Sequence, residues 1–260
     1  MQNNEIKYIR ASEISSFYLC PRLVYFQRRR DHDITGPAVR AGFFKALSSH
    51  LATVLSSPWP EAAMEDAIKH AGADSLVIYG IKYKETVDAA ATEARSMMGK
   101  MIAGIAKEKE GSGEEELMKI LSPSSVSVTA YSHKLRISGT IDKVLMRGDV
   151  PVPVIVSASD PPETGVYSSD RVRLAAYSLL LGEKYDIPCS RGAVEYVPGW
   201  SLRWAEIRYE DRRKALYARN RAIEMDRGRM PDAKRGKWCG ACGHDDACSV
   251  KPSLLGALFK

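Results

Sequence analysis

The chain has 260 residues, of which 45% are hydrophobic, so it can bury one large core or two smaller ones. Its 38 Lys and Arg residues outnumber its 32 Asp and Glu residues, and the net charge of +6 favours an anionic partner. Its first residues are polar, and no run approaches the ~18 apolar residues of a membrane helix. We therefore expect a globular, cytoplasmic protein, which excludes a membrane transporter and a secreted disulfide scaffold.

The N-terminal part of the chain has the periodicity of helices. An apolar face follows Ser12, which predicts a first helix that is capped by Ser12 and carries Cys20. The Gly- and Glu-rich tract 111–116 predicts an exposed break at the end of this part. Between the first helix and this tract, 3.6-residue patterning without internal proline predicts three longer helices, at 42–55, 61–71 and 86–109.

Beyond residue 121 the pattern changes to short β-branched segments bounded by Gly, Asp and Pro, as in sheet strands. We expect strands at 126–130, 134–146, 152–157, 193–197 and 202–209. Helices are expected at 171–181 and 211–227. This order predicts an α/β fold with a mixed sheet. We expect three parts: a helical N-terminal region at 1–121, an α/β core at 122–210, and a basic helix with a cysteine loop at 211–260.

Four of the five cysteines are placed like the ligands of one metal site. Cys239, Cys242 and Cys248 form a C-x2-C-x5-C pattern among small and polar residues, and Cys20 precedes a proline far upstream. Thiolates suit both zinc and iron–sulfur clusters, so the spacing leaves the metal open. Unrelated buried thiols are a further interpretation. The fifth cysteine, Cys189, lacks a nearby partner.

Positive charge is concentrated in two stretches. Residues 208–237 contain eleven basic residues against five acidic ones, and three consecutive arginines follow Cys20. Such stretches suit nucleic-acid phosphates, although they are also typical of solvated helix faces. The residues that we predict to contact DNA from these stretches are Arg28, Arg29, Arg30, Arg212 and Arg213.

Several motifs together resemble the CRISPR-associated Cas-four family. They are Ser-x4-Phe-x2-Cys-Pro-Arg-x2-Tyr at 12–25, Gly-Thr-Ile-Asp-Lys-Val at 139–144, Leu-Ala-Ala-Tyr-Ser-Leu-Leu-Leu at 174–181, Tyr-Val-Pro-Gly at 196–199 and the final cysteine loop. The resemblance implies a RecB-like nuclease core of the PD-(D/E)XK kind. It also implies a role in CRISPR adaptation, with DNA and CRISPR integrase proteins as partners. The cluster that it implies is 4Fe-4S, held by Cys20, Cys239, Cys242 and Cys248.

The catalytic motif departs from the family pattern. Such cores hold a divalent ion with two carboxylates, while a lysine orients the attacking water. Asp142 matches the first carboxylate, but Ile155 and Ser157 stand where Glu and Lys are expected. Mg²⁺ and Mn²⁺ require several oxygen ligands, so one carboxylate makes a poor site for them. The sequence therefore predicts lost or weak nuclease activity.

Two other positions of the family pattern are also altered. The helix that usually reads Gln-x3-Tyr keeps Tyr177, a remnant of the catalytic site together with Asp142, but has Arg173 in place of Gln. Arg173 could contact phosphate without a metal, or extend to solvent; Tyr177 could face DNA or pack under the sheet. Ala46 stands where a metal-binding histidine is expected, and His50 replaces it only with a register change.

These observations favour an iron–sulfur DNA-binding protein of the CRISPR adaptation type, with DNA single strands or ends as its ligand. The alternative is an active metal-dependent DNA exonuclease or endonuclease that uses Asp142 and Mg²⁺ or Mn²⁺. A third interpretation is a structural protein stabilised by zinc, without a nucleic-acid role.

Overall fold

The computed structural model describes residues 7–29, 34–232, 235–236, 239, 242 and 244–248. These residues form a six-stranded mixed sheet with helices packed on both faces, so the predicted α/β fold is confirmed. Among the described helices, none combines the length and the apolar character that spanning a bilayer requires.

The strands are β1 (Ile9–Arg10), β2 (Ser125–Ser132), β3 (Ile137–Arg147), β4 (Val150–Ser157), β5 (Arg191–Tyr196) and β6 (Ser201–Glu206). The helices are α1 (Ala11–Leu19), α2 (Pro21–Gln27), α3 (Gly36–Ser56), α4 (Pro60–Tyr79), α5 (Lys84–Ser112), α6 (Glu114–Leu121), α7 (Ser168–Tyr185), α8 (Tyr209–Asp226) and α9 (Asp245–Cys248), with a 3₁₀ turn at Ile81–Tyr83.

Strand β3 organises the sheet. It pairs antiparallel with β2 and with β4, and its first residues pair in parallel with β1. Strand β4 continues in parallel to β5, and β5 pairs antiparallel with β6. The parallel pair β4–β5 is joined by α7, as a parallel pair requires a crossover connection.

Two apolar layers sandwich the sheet. Helices α3 to α6 cover one face, where Phe43 and Leu47 lie in one cluster with Val154 and Val156 of β4. Helices α1, α7 and α8 cover the other face, where Ile155 lies in the second cluster. Successive residues of a strand point to opposite faces, which explains why the continuous apolar run of β4 is buried on both sides.

The predicted first helix is wrong at both ends. Its N-terminal bond runs from the backbone N–H of Arg10 to the Glu13 carboxylate, at 2.7 Å, rather than to Ser12. The helix ends at Leu19, and Cys20 lies between α1 and α2 with extended backbone angles, φ −160° and ψ 120°. The reason is Pro21, because proline disfavours the helical region for the residue before it.

The other predicted helices and strands are confirmed, in most cases with longer bounds. The predicted break at 111–116 narrows to Gly113, whose φ of 85° separates α5 from α6. Strand β6 ends at Glu206 rather than at residue 209, since Tyr209 already begins α8. The short strand β1 and helices α2 and α6 were not expected.

Candidate functional site

The Asp142 site lies where β3 and β4 separate. Backbone pairing of the two strands runs as far as Lys143 and Val154 and stops there. One residue further along β3, Oδ2 of Asp142 accepts the backbone N–H of Val156 at 3.0 Å. The Asp142 carboxylate thus replaces a backbone carbonyl as the acceptor. This bond fixes the carboxylate in the opening between β3 and β4, where the two strands separate.

A lysine that the sequence analysis did not single out binds this carboxylate. Nζ of Lys45, on α3, lies 2.7 Å from Oδ1 of Asp142, and the lysine side chain remains 39% exposed. His50 does not replace the expected histidine, because its Nε2 lies 2.8 Å from Oδ2 of Asp74 on α4. The cation that faces Asp142 from α3 is therefore Lys45, the residue before Ala46. Lys45 lies three residues after Gly42, and this spacing would have indicated that the two residues share a face of the helix.

Arg173 approaches the same carboxylate from α7. Its Nη2 lies 4.0 Å from Oδ2 of Asp142, and its Nε donates to the hydroxyl of Tyr177 at 2.9 Å. That hydroxyl donates in turn to the carbonyl of Thr140 at 2.8 Å. Burial raises the pKa of the Tyr177 phenol, which keeps it a proton donor. Arg173 therefore points inward rather than to solvent. Tyr177 is buried and holds Arg173 in place, so Tyr177 does not face DNA.

The glycine of the Gly-x-x-Asp motif has a packing role here. A Cβ atom at Gly139 would lie 2.8 Å from Cε1 of Tyr177 and 3.2 Å from Cβ of Ala11. Both distances are shorter than ordinary van der Waals contact, so a side chain at this position would push α7 and α1 away from the sheet. The motif glycine thus sets how closely Tyr177 and its bonded Arg173 approach β3.

The expected second carboxylate is absent from β4. Ile155 is buried in the α7-side cluster, and the hydroxyl of Ser157 bonds that of Ser159 at 2.8 Å. Asp170, in the first turn of α7, is an additional carboxylate: burial raises its pKa, with an opposing effect from Arg173, and Tyr196 donates to it at 3.3 Å. Asp142 faces two cations, Lys45 and Arg173, and this arrangement does not fit Mg²⁺ or Mn²⁺.

A second charged pair, also missed from the sequence, lies on the α3 side of the sheet. Lys143 and Glu195 are buried, with Nζ 2.9 Å from Oε2. The other carboxylate oxygen of Glu195 accepts from the hydroxyl of Ser48 at 2.8 Å and from the indole N–H of Trp200 at 3.1 Å. All of these groups are satisfied inside the core, which identifies the pair as a structural network.

The Cys-Pro-Arg motif brings the two ends of the chain together through its arginine. Nη1 of Arg22 donates to the carbonyl of Cys248 at 2.5 Å and lies 3.8 Å from its sulfur, while Nε donates to the carbonyl of Pro231 at 3.0 Å. The rings of Phe26 and His244 stack with centroids 5.2 Å apart. Helix α2, which begins just after Cys20, is thus in direct contact with the C-terminal cysteine segment.

The predicted ligands themselves do not converge among the described side chains. Cys20 and Cys248 are half-buried, and the Cys239 sulfur accepts the backbone N–H of Gly236 at 3.3 Å. No group of three or more His, Cys, Asp or Glu side chains in the described ranges is arranged to hold a metal ion. The shared cluster of Cys20, Cys239, Cys242 and Cys248 therefore stays a prediction, supported by adjacency of the segments alone.

Cys189 has a different environment from the other four cysteines. It is buried, and its thiol donates to the carbonyl of Pro151 at 3.0 Å. Burial raises the pKa of this thiol to about 11, although Arg212 opposes the change. Since the thiolate is the metal ligand and the nucleophile, Cys189 is suited to neither role at neutral pH.

The first basic cluster is largely engaged within the protein. The Arg28 side chain is only 4% exposed and binds Glu13 at 2.7 Å and Asp226 at 2.6 Å. Arg29 donates to the carbonyl of Met225 at 3.0 Å and lies over the ring of Tyr25. We therefore correct the predicted role of Arg28, which ties α2 to α1 and α8 instead of facing DNA. Arg30 lies outside the described residues.

In the second basic cluster, on α8, one arginine bonds the protein core and the next is exposed. Arg212 donates to the carbonyls of Cys189 at 2.5 Å and Ile207 at 3.3 Å, so it mainly holds the helix to the core. Arg213 is exposed. The outer face of α8 also presents Tyr209 and Tyr217, which are 72% and 56% exposed. Tyr209 and Tyr217 lie four residues before and after Arg213, a spacing that places all three on one helix face. The sequence analysis did not use this signal.

Comparisons with known proteins assign no family. No protein family model matches the chain. An uncharacterized protein of Archaeoglobus fulgidus is 23% identical over 134 residues, which are 52% of this chain and 60% of that protein. The chain thus spans less than two thirds of that relative's length. The solved structure of SSO0001 aligns with 92% of this chain and 96% of its own, at 14% identity and a TM-score of 0.36.

Proposed function

We propose that this protein binds DNA through a sheet of the RecB-like nuclease kind whose metal site has been replaced by fixed cations. The observation that carries the proposal is the ion pair between Lys45 and Asp142, at 2.7 Å, with Arg173 beside it. A lysine ammonium and an arginine guanidinium can contact phosphate oxygens as permanent charges, without a divalent ion. Binding without hydrolysis follows, because no group here activates water.

The exposure of Lys45 and the fixed orientation of Arg173 support this assignment. Lys45 reaches Asp142 from α3 and is more than one third exposed, so its remaining N–H donors face solvent. Arg173 is fixed by Tyr177, which orients its guanidinium toward the opening between β3 and β4. A phosphate that enters this opening meets both side chains from opposite faces of the sheet.

The outer face of α8 would extend the DNA contact. Arg213 and Lys214 are both exposed there and can neutralise phosphates. The exposed rings of Tyr209 and Tyr217 offer surfaces on which unpaired bases can stack, an interaction that tolerates any sequence. This combination favours single strands or frayed ends over intact duplex.

The 4Fe-4S cluster on Cys20, Cys239, Cys242 and Cys248 belongs to the same proposal. Its support is the contact of Arg22 with Cys248, which brings the late cysteines to the helix that follows Cys20. When bound, such a cluster would tie the chain ends together and so stabilise the fold. The role in CRISPR adaptation and an integrase partner rest on the resemblance of the sequence motifs.

Binding of labelled oligonucleotides tests the central claim. Wild-type protein should bind a single strand of about 16 nucleotides equally well with Mg²⁺ and with EDTA at matched ionic strength. Lys45→Ala combined with Arg173→Ala should weaken binding roughly tenfold or more and make it less dependent on salt. Lys119→Ala, which removes an exposed lysine of α6, is the matched control. Binding that requires Mg²⁺, or that the double variant leaves intact, would contradict the proposal.

A further inference from the structure

The part of the sheet formed by β2 and the first residues of β3 has one covered face and one open face. Ala130 and Ile141 are buried in the cluster that α1, α7 and α8 cover. Thr129, Tyr131 and Thr140 point the opposite way, since successive strand residues alternate, and all three are exposed. The hydroxyl groups of Thr129 and Thr140 lie 3.1 Å apart, which shows that the two strands share this open face.

The open face leads away from the Asp142 site. Thr140 lies two residues before Asp142 on β3, and Ser138, the cross-strand partner of Tyr131, lies four residues before it. At a rise of about 3.3 Å per residue, Tyr131 is roughly 13 Å from Asp142 along the strand direction. This distance corresponds to a few nucleotides of a DNA strand. A strand with a phosphate at Asp142 can therefore reach Tyr131.

Three aromatic rings stand together at the far end of this face. The ring of Tyr8, just before β1, contacts that of Tyr131 edge to face, with centroids 5.5 Å apart, and its centroid lies 5.7 Å from that of His133. The hydroxyl of Tyr8 also bonds Nδ1 of His133 at 2.5 Å. These contacts fix the rings, while Tyr131 remains 57% exposed. The protein thus presents a rigid aromatic surface to solvent.

The charges around these rings suit a nucleic-acid strand. Lys7 and Lys134 flank the aromatic residues in sequence, and both are exposed. Lys7 pairs with Asp226 at 3.1 Å but keeps 58% of its side chain exposed. Nη2 of Arg136 donates to the carbonyl of Lys7 at 3.3 Å, which brings a third cation to the same place. Exposed rings beside cations are the combination with which proteins hold single strands of any sequence.

We infer that Tyr131, supported by Tyr8 and His133, stacks on a base of the single DNA strand whose phosphate is held at Lys45 and Arg173. The inference rests on the proposed function and adds a path to it. The strand would run from the opening between β3 and β4 along the open face of β3, toward the turn that precedes this strand. The rings belong to β2 and to residues beside β1 and β2, whereas the aromatic rings proposed above lie on α8.

Binding of a labelled single strand of about 16 nucleotides tests the role of Tyr131. Tyr131→Val keeps a strand-forming residue but should weaken binding roughly tenfold. Its salt dependence should equal that of the wild type, because no phosphate contact is removed. Tyr131→Phe keeps the ring and should bind like the wild type. Trp59→Ala removes a ring that is 74% exposed just before α4, and as the matched control it should change nothing.

A strand of equal length without bases identifies stacking as the cause. The preference of the protein for the normal strand over the abasic strand should shrink by the same factor, roughly tenfold, in Tyr131→Val. Tyr131→Thr, a second strand-forming substitution, should show the same loss and keeps the test valid if one variant fails to fold.

Two outcomes would overturn the inference alone: wild-type affinity in Tyr131→Val, or a loss that is equal for the normal and the abasic strand. The second outcome would give Tyr131 a merely structural role. In both cases the proposed function stands, because its own test depends on Lys45 and Arg173. Wild-type protein that binds no single strand would contradict the proposed function and the inference together.

Discussion

The ammonium group of Lys45 and the carboxylate of Asp142 are 2.7 Å apart and join α3 to β3. This pair places a positive charge where a divalent ion would otherwise approach the carboxylate. A metal ion would have to displace Lys45 and would also meet the charge of Arg173. The arrangement therefore changes what Asp142 can do: it orders two cations instead of holding a metal.

Asp142→Asn distinguishes a DNA-binding site from a nuclease. Asparagine keeps a similar shape but removes a negative charge that faces the bound phosphate, so DNA affinity at low salt should rise by roughly two- to tenfold. Cleavage in Mg²⁺ or Mn²⁺ should be near background for wild type and variant alike. Strong wild-type hydrolysis that Asp142→Asn abolishes would show that the active-nuclease alternative is correct.

The buried pair of Lys143 and Glu195 should dominate the stability of the sheet face that α3 to α6 cover. Lys143→Met leaves the Glu195 carboxylate buried without its counter-charge and should cost about 3–5 kcal/mol of the free energy of unfolding in urea. Adding Glu195→Gln should restore most of this loss, because the amide carbonyl can still accept from Ser48 and Trp200. Lys119→Met, at an exposed pair with Glu115, should change stability little. Additive effects of the two core substitutions would refute the coupling.

Asp170 should give the protein a defined dependence of stability on pH. Burial raises its pKa, so the native state holds the proton more tightly than the unfolded chain does. Stability from this group is fully present below the unfolded pKa of about 3.9 and is lost as pH rises through the higher folded pKa. Asp170→Asn should therefore stabilise the protein at pH 7 and have no such effect near pH 3. Urea unfolding from pH 3 to pH 7 measures this change in the free energy of unfolding, and Asp66→Asn, at an exposed aspartate, is the control. A larger stabilisation by Asp170→Asn at low pH than at pH 7 would contradict the predicted direction.

Much of the fold could be predicted because its signals are local. The helices α3, α4, α5, α7 and α8 and the strands β2 to β6 follow from periodicity and β-branched composition, which depend on neighbouring residues. The two-residue strand β1 has no such signal, as it exists through pairing with Ile137 and Ser138 far along the chain. The end of α1 was predictable from Pro21, but an apolar pattern that continues through Cys20 concealed it.

The candidate site was predictable only in part, for a physical reason. Asp142 and Arg173 were identified from motif positions, whereas Lys45 became visible only when folding brought α3 beside Asp142. The charge of Arg28 suggested DNA, but its partners Glu13 and Asp226 come from two other helices. A sequence shows that a side chain is charged; folding decides whether that charge meets a partner or the solvent.

The five cysteines should separate into two classes when they react with a thiol reagent. Cys189 is buried and its pKa is raised to about 11, so it should react slowly until the protein unfolds. The half-buried Cys20, Cys239, Cys242 and Cys248 should react quickly in protein stripped of metal and slowly in protein that holds the cluster. Counting fast thiols before and after chelation tests this, and a Cys189→Ala variant with an unchanged fast count identifies the slow one.

The metal itself provides the last prediction. Protein purified without air should be brown and contain about four irons per chain, because four thiolates are the ligand set of a 4Fe-4S cluster. Cys239→Ala should lose iron and lower the Tm by several degrees, since the cluster closes a loop between the two ends of the chain. Cys189→Ala is the matched control and should keep its iron, as Cys189 bonds Pro151 instead. Stoichiometric zinc without iron in protein never exposed to air would favour the zinc alternative, and full iron content in Cys239→Ala would rule out this ligand set.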